Sequence, residues 1–337
     1  MAKQESPDDH LVVVQFFHSG KECTVKGKRN GSPVEVPWTL EKRVANKNAR
    51  TNGCSSRPIR KTKRGCGDAK QSHWEAKHTR RLVIHKGECV DKDGNLLTAE
   101  LAFWTEWEAC TMATAVKKTL VGGTGPRWMH RVKTPLGKTG PHRVNTDPCV
   151  FGKTFKYCCC QQHMKNEKDM VQLRRLAPGS IILFGSRLKG RFVLDTVFVV
   201  GTVRVHYFEK SKSILKVSDF YRELALNRFT NRTVENTFYR GTTFDPESRT
   251  TPYSFVPAKP FAEGNPRCGE RFVLDLAALN KCLHGAKERF NPESGKTQGF
   301  HAIATTENTV AAVWNEILRQ VRKAHFVPGV HFNWPAT

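Results

Sequence analysis

No long apolar run occurs in the sequence. The longest, such as residues 12–17, are strand-sized and fall well short of the roughly 20 residues that a membrane helix needs. No basic amphipathic helix points to a membrane surface either. Nucleotide fingerprints are missing too: GGTG at 122–125 has no GxGxxG pattern, no Walker lysine-serine pair and no helix after it. Internal repeats, low-complexity tracts and the tight Cys-x2-4-Cys knuckle of strong zinc sites are also lacking. The first ten residues, MAKQESPDDH, have no apolar centre of the kind a signal peptide carries, and the expectation is a cytoplasmic protein with no membrane partner.

Acidic residues are scarce beside basic ones. Fifty-five Lys and Arg stand against 31 Asp and Glu, a formal net charge of +24. A chain this basic has a polyanion as its working partner, and nucleic acid is the default, DNA rather than RNA. Hydrophobic residues make up 38%, a lean globular composition in which some polar segments are expected. The 11 cysteines are odd in number and, with no secretion signal, are read as reduced thiols.

The stretch 176–201, LAPGSIILFGSRLKGRFVLDTVFVVG, organises the rest. Pro178 and Gly179 make a turn, and the β-branched run Ile181 to Phe184 reads as a buried strand. A basic turn at 186–190, containing Lys189, leads into a second strand in which both faces are apolar, so both must be covered. Asp195 breaks that pattern. A carboxylate in such a strand needs a partner or marks a pocket, since burying it alone costs several kcal/mol.

Residues 1–80 read as a basic, loop-rich region and 81–337 as an α+β body. Within the first, Arg57, Arg60, Lys61, Lys63 and Arg64 form a dense cluster suited to sequence-blind phosphate contact, and a solvated surface loop is the alternative. Cys54 and Cys66 flank that cluster and His73 and His78 follow, a residue set with which a structural zinc ion can tie down a loop.

Residues 80–108 predict two strands around the turn DKDGN. If the second stays extended to its end, Phe103, Thr105 and Trp107 point one way and Trp104, Glu106 and Glu108 the other. Indoles and carboxylates alternating here suit base stacking and hydrogen bonding, or acid/base chemistry. A core tryptophan with two solvated glutamates is the plainer reading. Arg127, Trp128 and Arg131 lie in a glycine- and lysine-rich stretch suited to a nucleic-acid backbone.

The NTDP run at 145–148 is turn chemistry, with Asn145 and Asp147 expected to bond their own backbone. Cys160 with His163 is a candidate half-site for zinc, and Cys160 with His163 or His142 a candidate nucleophile and base. Small buried residues on a strand are the simpler account of the triple cysteine at 158–160. Further on, Ser218 is expected to cap a helix to about residue 227, residues 231–260 to be a lid or packing, and 272–283 a strand or short helix. Thr306 caps the clearest helix, in which Val310, Val313, Trp314, Ile317, Leu318 and Val321 recur at helical spacing.

Two resemblances follow from these residues. The leucine, Pro-Gly, apolar strand, basic turn and valine-rich strand of 173–201 resemble the core of PUA-like barrels, the group that includes EVE and ASCH modules. That likeness implies a small barrel that binds nucleic acid and holds a flipped-out modified base, in modified-DNA sensing or phage defence. FWTEWEACT at 103–111, NTDPCVFGKTFKYCCCQQ at 145–162 and YSFVPAKP at 253–260 resemble a family of uncharacterised bacterial proteins with FWGEWE, NTDPWVFG and YSNCKQ in those places. Here Thr105 replaces a glycine, Cys149 a tryptophan, and Cys158 and Cys159 a serine and an asparagine. This second likeness implies no activity.

The fold expected is α+β: a mainly antiparallel twisted sheet or small PUA-like barrel built from 80–108 and 176–208, flanked by helices, with an amphipathic helix near residue 315. Three functions of different class fit the residues. One is a nucleic-acid-binding protein in which Trp104, Trp107 and Trp128 meet bases. Another is an enzyme acting on nucleic acid or nucleotides, by base modification, excision or hydrolysis, through Glu106, Glu108, Asp195 or Cys160. The last is a zinc-stabilised interaction protein.

Overall fold

The computed structural model describes residues 9–21, 25–29, 32–36, 78–108, 112–116, 127–131, 147–158, 160, 162, 172–188, 190–207, 215, 217, 221, 236–248, 250–262, 266–283, 286, 288–291 and 299–333. Its centre is the valine-rich hairpin. Strand pairs alternate their side chains between two faces, and here each face finds its own apolar layer.

In chain order the strands are β1 (Val12–Lys21), β2 (Val25–Arg29), β3 (Ser32–Val36), β4 (His78–Val90), β5 (Leu96–Glu108), β6 (Met112–Val116) and β7 (Arg127–Arg131), then β8 (Lys156–Tyr157), β9 (Ile181–Leu188), β10 (Arg191–Tyr207), β11 (Asn236–Gly241), β12 (Val256–Pro260), β13 (Gly299–Ala304) and β14 (Val327–Phe332). One six-stranded sheet runs β13-β1-β9-β10-β11-β8, with β1 parallel to β9 and the other neighbours antiparallel. Val12, Val14, Phe16, Ile182, Phe184, Phe198 and Val200 point to one side, and Val13, Phe17, Ile181, Leu183, Val197 and Val199 to the other. All are buried, as the two-faced hydrophobic pattern requires.

The first side packs on a second body. Strands β4, β5, β12 and β14 pair antiparallel in the order β14-β12-β5-β4, and β14 returns to pair with β4, closing a four-stranded barrel. Leu101, Phe103, Cys89, Val256, Ala258 and Phe332 of the barrel belong to one apolar core with Phe16, Tyr157 and Phe184. The β6–β7 hairpin attaches to β4 through the parallel pair Leu82 and Met129.

Closure depends on a glycine. A Cβ on Gly87 would lie 2.4 Å from the backbone oxygen of His331 and 2.8 Å from the Phe332 ring. Gly87→Ala is therefore expected to cost about 1–3 kcal/mol by forcing the β4–β14 seam apart. Urea unfolding checks this, and an unchanged midpoint would show that the seam is slack.

Helices cover the other side of the sheet. Helix α1 (Leu276–Cys282) is capped by Asp275, whose carboxylate accepts from the backbone N–H of Ala277 and Ala278, and α2 (Glu307–Lys323) is capped by Thr306. The α2 stripe of Val310, Val313, Trp314, Ile317 and Val321 is buried against Leu183, Val197, Val199 and Phe255. Trp314 donates its indole N–H to the Tyr253 carbonyl at 3.1 Å. The Gln320 amide clamps the two helices, accepting from the Asp275 N–H at 2.8 Å and donating to the Asp275 carbonyl at 3.2 Å.

The α+β architecture with a small barrel is thus present, as are both expected hairpins and the capped helix at 307–323. Two local expectations change, and two that left alternatives open are resolved. The hairpin at 176–208 does not share one sheet or barrel with 80–108, because the outer edge of β10 is taken by Phe255, Val273 and β11 while the free edge of β5 is taken by β12. Residues 25–29 and 32–36, expected within a loop, pair antiparallel as β2 and β3. The segment 253–260 is no lid: Tyr253 and Phe255 are core, and 256–260 is a barrel strand. At 272–283, Val273 bridges to β10 and the helix α1 follows. The expected helix at 218–227 and the basic segment 37–77 lie outside the described residues, apart from Tyr221.

Candidate functional site

Asp195 sits at an irregularity in β10. Leu194 pairs with Gly185 and Thr196 with Phe184, so Asp195 is the extra residue of a β-bulge. Bulges re-aim a side chain that regular pairing would send elsewhere. The Asp195 carboxylate meets the Arg271 guanidinium at 3.0 Å, with side chains only 3% and 8% exposed. Burial of that carboxylate is accounted for by this ion pair.

The same guanidinium lies over the Trp104 ring, with its central carbon 4.6 Å from the ring centroid. Trp104 is half-buried on β5 and donates its indole N–H to the Gly269 carbonyl at 3.3 Å. Carboxylate, guanidinium and indole therefore form a continuous stack between the six-stranded sheet and the barrel, with one face and one edge of Trp104 already engaged.

A strap over 266–274 builds this arrangement. A short 3₁₀ turn, Pro266–Gly269, presents the carbonyl that holds Trp104, and Glu270 accepts from Lys259 at 2.5 Å and from Arg267 at 3.0 Å. Burial pushes the Glu270 pKa up, but the hydrogen bonds and charges of Lys259 and Arg267 outweigh it and hold the carboxyl below its usual range. Lys259, on β12, also lies 4.3 Å from the Phe326 ring centroid. The strap then joins β10 through Leu194 N–H to Phe272 O and Leu274 N–H to Phe192 O, both 3.0 Å.

The triple-cysteine region forms a separate cluster. The buried Asp147 carboxylate accepts from the backbone N–H of Cys158 at 2.7 Å and of Cys160 at 2.6 Å. Asp147 thus ties down the backbone at Cys158 and Cys160. Its bond to Pro148 is cis. The Tyr157 hydroxyl donates to the Cys160 carbonyl at 2.6 Å and the Tyr207 hydroxyl to the Cys158 carbonyl at 3.3 Å. Lys156 is buried, donates to the carbonyls of Phe151 and Thr154, and has its pKa lowered by burial. Burial pushes the neighbouring Cys149 thiol up to about 11, so it is protonated and unreactive at neutral pH.

Of the residues singled out in the sequence, the structure brings Trp104 and Asp195 together, through Arg271. Cys160 belongs to the Asp147 cluster and is half-buried. Thr105 and Phe103 are buried while Trp104 is half-buried, which matches the expected alternation along β5. Backbone register sets Glu106 opposite Arg80 and Glu108 opposite His78, and places Trp107 on β5 and Arg127, Trp128 and Arg131 on β7. The side chains of those residues lie outside the described set, as do Arg57, Arg60, Lys61, Lys63, Arg64, Lys189, Cys54, Cys66, His73 and His163. Among the described residues no group of three or more His, Cys, Asp or Glu is placed to hold a metal ion.

Sequence reasoning missed Arg271, Lys259 and Glu270. The signal for Arg271 was indirect: a buried Asp195 demands a cation, and many basic residues compete for that role. No family model, curated protein or solved structure matches the chain. No helix among the described residues is long and apolar enough to cross a membrane.

Proposed function

We propose that this protein binds nucleic acid, DNA in preference to RNA, and that Trp104 is the surface on which an unstacked or modified base is read. The observation that carries the proposal is the charge: a surplus of 24 cations favours a polyanion as partner. The held indole adds to it. A tryptophan fixed by a hydrogen bond on its edge, a guanidinium on one face and packing against Ala102 and Cys268 is pre-ordered for stacking on the part of the ring these leave open. Asp195 serves this reading as the anchor of Arg271, since its carboxylate is already engaged by the guanidinium and is poorly placed to shuttle protons. Modified-base sensing in defence follows from the PUA-like resemblance of 173–201.

The test is binding of fluorescent duplex, single-stranded and modified oligonucleotides across a salt series. Trp104→Ala is expected to remove base preference at high salt, and Arg60→Ala to weaken all sequences about equally and flatten the salt slope by about one. Weak, salt-independent binding to every oligonucleotide would overturn the proposal. A cleaved or mass-shifted product would move the protein to the enzyme class.

A further inference from the structure

The geometry points to Arg271 as the residue that sets which bases Trp104 accepts: neutral rings are taken and cationic, alkylated ones refused. This rests on the reading of Trp104 as the stacking residue. An indole attracts cations through the negative potential of its π faces, and methylated cationic bases are bound by aromatic side chains for that reason. In this protein the attraction is already in use. The Arg271 guanidinium occupies one face at 4.6 Å, and its ion pair with Asp195 keeps it there.

A cationic base on the remaining part of the ring therefore meets a fixed guanidinium across the indole. A neutral base meets only a polarised ring and stacks normally. The anchoring of the Trp104 edge on Gly269 O prevents the ring from turning away to offer its occupied face. Asp195 acts through Arg271 and is a positioning residue. Its bulge places the carboxylate where the guanidinium needs it.

The experiment compares single-stranded oligonucleotides carrying one cytosine or one 3-methylcytosine, which is cationic at neutral pH, at a salt concentration that suppresses binding through phosphates. The native chain is expected to favour the neutral base by about fivefold, the size of an ordinary cation–π term. Arg271→Lys keeps a cation and should keep the preference. Arg271→Gln, which is neutral but still donates to Asp195, should lose it, as should the volume-conserving pair R271M with D195L. A general packing role for Arg271 would change both affinities together and leave their ratio alone.

Equal affinity for the two oligonucleotides in the native chain, or an unchanged ratio in Arg271→Gln, overturns the inference while base reading by Trp104 stands. Loss of all base preference in the native chain, with salt-sensitive binding intact, overturns base reading as well. Should the double variant fail to fold, Arg271→Gln alone decides.

Discussion

Arg271→Ala is expected to lower the stability of the folded chain by about 3–5 kcal/mol, seen as a fall in the urea midpoint with an unchanged slope. The reason lies in what the substitution leaves behind. Asp195 is 4% exposed, in the middle of a sheet whose two faces are apolar, and without the guanidinium its charge loses the cation that meets it at 3.0 Å. Trp104 loses the cation over its ring at the same time. Removing both charges is a different matter. The pair R271M and D195L should stay within about 1–2 kcal/mol of the native chain, because a buried ion pair replaced by apolar groups of similar volume is close to neutral. If Arg271→Ala unfolds no more easily than the double variant, Asp195 is not held by Arg271 and the stack has no anchor.

The second large effect is expected at Asp147. Asp147→Ala should cost about 3–6 kcal/mol, since one carboxylate accepts one buried and one part-buried N–H bond, and hydrogen bonds to charged groups contribute about 1.5–3 kcal/mol each. Asp147→Asn keeps one good acceptor and should cost about half as much. Thiol labelling reads the same event locally. With the clamp gone the turn loosens, and Cys158 and Cys160 should react with a maleimide faster than in the native chain at the same fraction folded. Unchanged labelling together with a small loss of stability would mean that Tyr157 and Tyr207 hold the turn without Asp147.

What the sequence revealed was local. The two-faced valine pattern of 181–200 identified a fully covered hairpin, the DKDGN turn fixed the register of β4 against β5, and Thr306 with the apolar stripe after it defined α2. Each of these is decided by residues a few positions apart. Partners across the fold were beyond reach for a physical reason: the free edges of β5 and β10 are chemically alike, and only the finished packing determines that β12 takes one and β11 the other. Asp195 was visible as an anomaly and its explanation was not, since the cation that satisfies it comes from a residue far along the chain. Asp147 reaches the backbone of Cys158 and Cys160 as well, partners that a local turn rule does not supply.

The way the barrel closes sets a timetable for synthesis. Strands β4 and β5 leave the ribosome as an early hairpin, yet the seam on one side of β5 waits for β12 and the seam beside Gly87 waits for β14. Until then the hairpin displays two unsatisfied backbone edges, the kind that recruit a second copy of the same chain. β1 is in a like position, because both of its neighbours, β9 and β13, are translated long after it. Non-local pairing of this order makes folding slow.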